Sequence, residues 1–216
     1  MADISKISGL GRPLDFSYET NRGIVYLTLI TFLAGTGYQM LQDVPTMQSA
    51  IWGLLAGLSV FFAWAICREL DPDRDLSAFV SAGITFSLVF FWAPANLVFL
   101  FWILLLIRTV NRTTGIPPTL ADAVILIGLS GWITWQENWG YGLLTALAFT
   151  FDSRLKGGLR RQFFFAGLVI IITIVLIYVK PQHQYLPGWS FREIGWIIGL
   201  FLGIFLIISL VSRKIR

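Results

Sequence analysis

Residues 77–107 read SAFVSAGITFSLVFFWAPANLVFLFWILLLI, an apolar run interrupted only at Trp92-Ala93-Pro94-Ala95-Asn96. As one helix it would be about 46 Å long, at 1.5 Å per residue. The hydrocarbon core of a bilayer is only about 30 Å thick. A proline in mid-run removes a backbone donor and crowds the preceding turn, and the asparagine nearby favours a loop. The run therefore predicts two helices with a break between them. A second over-long run, Leu120–Phe151, is interrupted by Gln136-Glu137-Asn138. A glutamate at mid-bilayer is costly, so a loop is expected there as well.

The remaining runs, Gly23–Leu41, Met47–Ile66, Phe163–Val179 and Ile194–Val211, each lie near the length that crosses a bilayer. The expected fold is all-α: a polytopic integral membrane helical bundle of about eight transmembrane helices in four hairpins. The four helices of the split runs come out at about 14–17 residues, roughly 21–26 Å. They must extend into the loops, sit in a thinned bilayer, or be re-entrant segments shielded by protein. Leu76 and Leu120 begin comparable interrupted runs, a sparse hint of an internal duplication.

Charge sets the orientation. With the N-terminus inside, only Lys180 and Arg192, of sixteen Lys and Arg, fall on the outer side. Reading 77–107 as one kinked span would send the next basic loop outside, against the positive-inside rule. Both termini are thus expected in the cytosol and the chain in the plasma (inner) membrane. Trp92, Trp132, Trp135, Trp139, Trp189 and Trp196 then form an outer aromatic belt. The expected organisation is a cytosolic N-terminal segment 1–22, a single transmembrane domain 23–212 and a basic cytosolic tail 213–216. The first 22 residues lack the apolar core of a signal peptide. Ile4, Ile7, Leu10 and Leu14 share one helical face, which suits an interfacial segment, although Gly9, Gly11 and Pro13 oppose a helix.

Composition supports the same class. The chain is 56% hydrophobic and 13% charged, with a mean hydropathy of +0.74. A soluble domain carries about 25% charge. The net charge of +4 lies in loops between apolar runs, so it follows topology and implies no nucleic-acid partner. A lone Cys67 excludes an intramolecular disulfide. The lone His183, in an outer loop, excludes paired-histidine haem ligation and a cytosolic Ser-His-Asp triad. No charged residue is forced into the middle of a span, which weighs against an ion-coupled carrier.

Three polar loops share the cytosolic face under this threading. The first, Cys67-Arg68-Glu69-Leu70-Asp71-Pro72-Asp73-Arg74-Asp75, concentrates carboxylates. Asp71, Asp73 and Asp75 could converge oxygen ligands on Mg²⁺, which would bridge to a diphosphate. Helix capping and local ion pairs account for the same residues. The second loop, Arg108 to Thr119, offers Arg108, Asn111 and Arg112 as phosphate donors. It lacks the Gly-Lys-Ser/Thr of a P-loop, and Thr119 with Asp122 forms a capping box. In the third loop Asp152 sits at a helix C-terminus, where the dipole disfavours a carboxylate. It is the candidate catalytic residue, or the partner of a nearby cation.

Phosphorylated lipid or isoprenoid chemistry at this face is the leading expectation, with membrane lipids as the immediate partners. Two alternatives stand beside it. One is a non-catalytic accessory subunit, assembled as a homo-oligomer or with another membrane protein through the ridge Gly195, Gly199 and Gly203. Gly53 and Gly57 carry a similar ridge. The other is a small-solute transporter or channel, which needs a continuous polar path.

Overall fold

The structure, a computed structural model, describes residues 8–111, 117–155 and 157–179, with the backbone alone at Asp75. The described residues form seven helices and no strand. These are α1 (Glu19–Met40), α2 (Thr46–Leu70), α3 (Asp75–Leu88), α4 (Leu97–Asn111), α5 (Leu120–Gln136), α6 (Gly140–Arg154) and α7 (Arg161–Val179). Both over-long runs are broken where the residues predict. Asn96 accepts the amides of Val98 and Phe99 at 3.0 and 3.3 Å, satisfying donors that the first turn of α4 leaves open. Asn138 accepts the Gly140 amide at 2.9 Å where α6 begins. Thr119 and Asp122 form the expected capping box on α5.

Among the described residues three helices, α1, α2 and α7, are long and apolar enough to cross a membrane. Their exposed surfaces include Leu33, Phe164 and Ile171. Such a surface is compatible with a membrane protein. The last apolar run, 194–211, and the basic tail lie outside the described residues, as do His183 and the Gly195, Gly199 and Gly203 ridge.

The packing of α3 and α4 departs from a simple hairpin. Both lie on α2, with little contact between them. The break that joins them is tucked against α2 itself, where the Ala95 amide donates to Ser59 Oγ at 3.2 Å. Ser59 is about 16 Å of helix rise short of the end of α2. By contrast α5 and α6 do pack together, so the two broken runs are not built as copies of one another.

Two buried clusters hold the bundle. Ile24, Val60, Trp64, Ala78 and Ala82 join α1, α2 and α3. Leu126, Ala146, Phe149, Phe165 and Val169 join α5, α6 and α7. Helix α4 serves both, with Leu104 in the first cluster and Trp102 and Leu105 in the second. The Trp102 indole N–H donates to Thr145 Oγ1 at 3.0 Å, fixing α4 on α6 without leaving the buried donor unsatisfied.

Small residues set the closest approaches. A Cβ added at Gly53 would lie 2.5 Å from the Phe32 carbonyl oxygen, and one at Gly57 would lie 2.8 Å from that of Thr28. The α2 glycine ridge is therefore used within the chain, against α1, where it lets the two backbones approach.

Candidate functional site

α2 and α4 finish side by side. Asn111 Nδ2 donates to the Glu69 carbonyl at 2.7 Å, filling one of the acceptors that a helix C-terminus leaves open. One turn earlier on α4, Arg108 Nε meets Glu69 Oε1 at 2.9 Å. Arg12 Nη1, from the N-terminal segment, reaches the same oxygen at 2.9 Å. Glu69 is only 3% exposed. A buried carboxylate is tolerated because two guanidiniums compensate it through charge-assisted hydrogen bonds. Burial draws the Arg12 guanidinium below its ordinary pKa; Glu69 pushes it up and the neighbouring Arg108 pushes it down.

The N-terminal segment reaches this node as a docked strap. Residues 8–15 form no helix, so the interfacial helix weighed for Leu10 and Leu14 is absent from the described part. Ser8 Oγ accepts the Leu10 and Gly11 amides at 3.2 and 2.7 Å, a local turn that replaces helical bonding. Leu10 inserts into the α4–α7 cluster and is 2% exposed. Its carbonyl accepts Arg108 Nη1 at 2.9 Å. Further back, Asp122 receives Ser8 Oγ and, at 2.8 Å, the Gly9 amide. Asp122 thus caps α5 and anchors the strap. On the far side of α5, Arg161 Nη2 donates to the Pro118 carbonyl at 3.0 Å. These bonds bring the ends of α2 and α4, the starts of α5 and α7 and residues 8–12 to one end of the bundle.

A cavity of about 760 Å³ opens at this end, walled by the strap, α1, α2 and α4. Its lining follows a gradient. On α2 it passes from Arg68 and Glu69 through Trp64 and Ala65 to Phe61 and Phe62; on α4 it passes from Arg108 through Leu104 to Phe101. Those spacings are one and two helical turns, so one face of each helix turns from ionic to apolar over about 10 Å. Five charged residues line it: Arg12, Arg68 and Arg108 against Glu69 and Asp15. The Arg68 guanidinium lies 5.5 Å from the centre of the Trp64 ring, and its Nη1 donates to Thr20 Oγ1 at 3.2 Å. Trp64 is 4% exposed, and its indole Nε1 is a buried donor with no hydrogen-bond acceptor. A smaller cavity of about 200 Å³ lies towards the opposite end, among Asn96, Phe99, Trp132, Glu137 and Tyr141.

The residues singled out from the sequence divide accordingly. Arg108 and Asn111 come together, but Arg108 spends two donors and Asn111 one inside the fold, so they are not an open phosphate loop. Arg112 lies outside the described residues. Asp71 is the C-cap of α2, its amide bonded to the Cys67 carbonyl at 2.9 Å, and Asp73 is exposed in the turn. Asp75 opens α3, with its side chain outside the described part. Among the described residues, no three His, Cys, Asp or Glu side chains gather as a metal site. Asp152 is fully buried in the last turn of α6 and does not line the cavity. Arg12 and Trp64 were not legible as site residues. Arg12 counts in the sequence only as a topological charge, and the one local signal is Leu10 set between two glycines just before it.

Comparisons with protein-family models, with curated proteins and with solved structures find no match.

Proposed function

We propose that this chain is a multi-pass membrane protein that binds or processes a phosphorylated lipid or isoprenoid at the cytosolic face. The observation that carries the proposal is the cavity gradient: three arginines with two carboxylates at one end of a half-open cavity, and aromatic and leucine side chains at the other. An amphiphile with an anionic head matches it in both charge and polarity. Forked guanidiniums suit phosphate oxygens, and apolar walls suit a hydrocarbon chain. The positive-inside reading assigns this basic end to the cytosol. Arg108 belongs to the site in this proposal, with Arg12 and Arg68 joining it.

Equilibrium binding to the full chain in mild detergent tests this. Dodecyl phosphate is expected to bind, and dodecanol and inorganic phosphate to bind at least tenfold more weakly. Arg68→Gln, at a partly exposed position, is expected to weaken dodecyl phosphate about tenfold or more, the range for one hydrogen bond to a charged group. Equal binding of dodecanol and dodecyl phosphate would refute an anionic-head site. Mg²⁺ held by Asp71, Asp73 and Asp75 is a separate part of the proposal. It predicts that EDTA, or Asp71→Asn with Asp73→Asn, weakens binding of an alkyl diphosphate.

A further inference from the structure

We infer that the smaller cavity, towards the end of the bundle opposite Glu69, binds a quaternary ammonium group. This site is independent of the amphiphile cavity. Asn96, Phe99, Trp132, Gln136, Glu137 and Tyr141 line it. The first argument is charge. Glu137 is the one charged residue among the described lining residues. It is exposed at the C-cap of α5, its amide bonded to the Ile133 carbonyl at 2.8 Å. The open carbonyls of a helix C-terminus carry partial negative charge and favour a cation. The starts of α4 and α6, of opposite polarity, lie at the same end, and there Asn96 and Asn138 take up amides. The loops joining α1 to α2, α3 to α4 and α5 to α6 carry Asp43 and Glu137 and no lysine or arginine. Lys180 and Arg192, expected on this side, lie outside the described residues.

The second argument is the chemistry of the wall. Phe99, Trp132 and Tyr141 bring three aromatic side chains to it. Aromatic rings attract organic cations through their quadrupole and are the usual partners of quaternary ammoniums. Two of these rings are held in place. Phe99 and Tyr141 meet edge to face with centroids 5.8 Å apart, and both pack on Trp102, which is 1% exposed. A wall fixed in this way loses little freedom on binding. The third argument separates one class of cation from the others. A hard metal ion needs several oxygen ligands. A primary ammonium presents three N–H donors. Here there is one carboxylate, and Asn96 Oδ1 already accepts the Val98 and Phe99 amides. A quaternary ammonium asks for no acceptor. At about 200 Å³ the cavity lies below the usual range for a drug-sized ligand, which points to a compact head group.

The full chain in maltoside detergent, with isotope-labelled choline as the probe, tests this. Choline is expected to bind saturably. Its uncharged isostere 3,3-dimethylbutan-1-ol, and ethanolamine, should compete at least tenfold more weakly than unlabelled choline. Trp132 is 58% exposed, so Trp132→Leu should leave thermal unfolding unchanged. It should weaken choline about fivefold, the scale of one cation–π contact, and Trp132→Phe should weaken it less. Glu137→Gln should weaken choline about threefold, within the range of exposed ion pairs. Neither change should alter binding of dodecyl phosphate, which keeps this inference separate from the amphiphile proposal. Nanodiscs distinguish the source of the head group. Uptake of labelled choline in phosphatidylglycerol discs but not in phosphatidylcholine discs assigns the site to a choline lipid; uptake in both assigns it to a free cation. The inference is overturned if 3,3-dimethylbutan-1-ol competes as well as choline, or if choline does not bind saturably. It is also overturned if neither Trp132→Leu nor Glu137→Gln changes choline binding.

Discussion

Glu69→Ala is expected to destabilise the fold by about 3–5 kcal/mol, the cost of removing one partner from a buried ionic network. The carboxylate is the shared acceptor of Arg12 and Arg108, each 2.9 Å from the same oxygen. Without it, two partly buried guanidiniums lose the acceptor they share. The loss would not stay local. Arg12 lies in the strap and Arg108 also holds the Leu10 carbonyl, so the Arg12 end of the strap should loosen, while Asp122 still holds Ser8 and Gly9. Denaturant unfolding in detergent reads the stability, and limited proteolysis near Arg12 reads the release. Glu69→Gln keeps an acceptor oxygen and should cost less than Glu69→Ala. Glu69→Gln combined with Arg108→Gln should cost less than the sum of the two single changes, because the residues act as one network. A Glu69→Ala cost below about 1 kcal/mol, the range of exposed pairs, would show that the node does not hold this end together.

Gly53→Leu should be the most damaging substitution within the helical packing. Even the Cβ would approach the Phe32 carbonyl oxygen to 2.5 Å and the Thr36 amide nitrogen to 2.9 Å. Both are backbone atoms of α1, so relief requires moving a helix rather than turning a side chain. Overpacking a fitted interior costs about 1–3 kcal/mol, and the rigid neighbour places Gly53→Leu at or above the top of that range. Gly83→Ala is the control. A Cβ at Gly83 meets nothing within 4 Å, and alanine favours a helix by up to about 1 kcal/mol over glycine. Parallel thermal unfolding should show a large loss for the first and no loss for the second. Equal behaviour would mean that α1 and α2 are not in the close contact described.

Local chemistry was legible in the sequence where it is written in single residues. Pro94 and Asn96 mark a break because one lacks a donor and the other caps the next helix. Thr119 and Asp122 mark a helix start because their side chains and amides bond reciprocally. The gathering of Glu69, Arg108, Asn111 and Asp122 at one end followed from alternating the runs. The strap was not legible. Gly9, Gly11 and Pro13 carry no periodicity, and the groove that receives Leu10 exists only once α4 to α7 have packed. The role of Asp122 was half visible: capping is local, but its bonds to Ser8 and Gly9 span more than a hundred residues. The lean of both α3 and α4 on α2 is likewise a tertiary fact, fixed by contacts such as Ala95 to Ser59. Trp64 looks like any other aromatic in an apolar helix, and only its surroundings reveal that its N–H lacks an acceptor. Asp152 attracted attention by its unfavourable place at a helix end, yet its complete burial on α6 removes it from the cavity.

A structure of the full chain determined with dodecyl phosphate tests the central claim most directly. The phosphate is expected between the strap and the ends of α2 and α4, with oxygens about 3 Å from guanidinium nitrogens. The alkyl chain should run towards Phe62 and Phe101. Dodecyl phosphate bound only elsewhere on the chain, with this cavity empty or closed by neighbouring side chains, would contradict it.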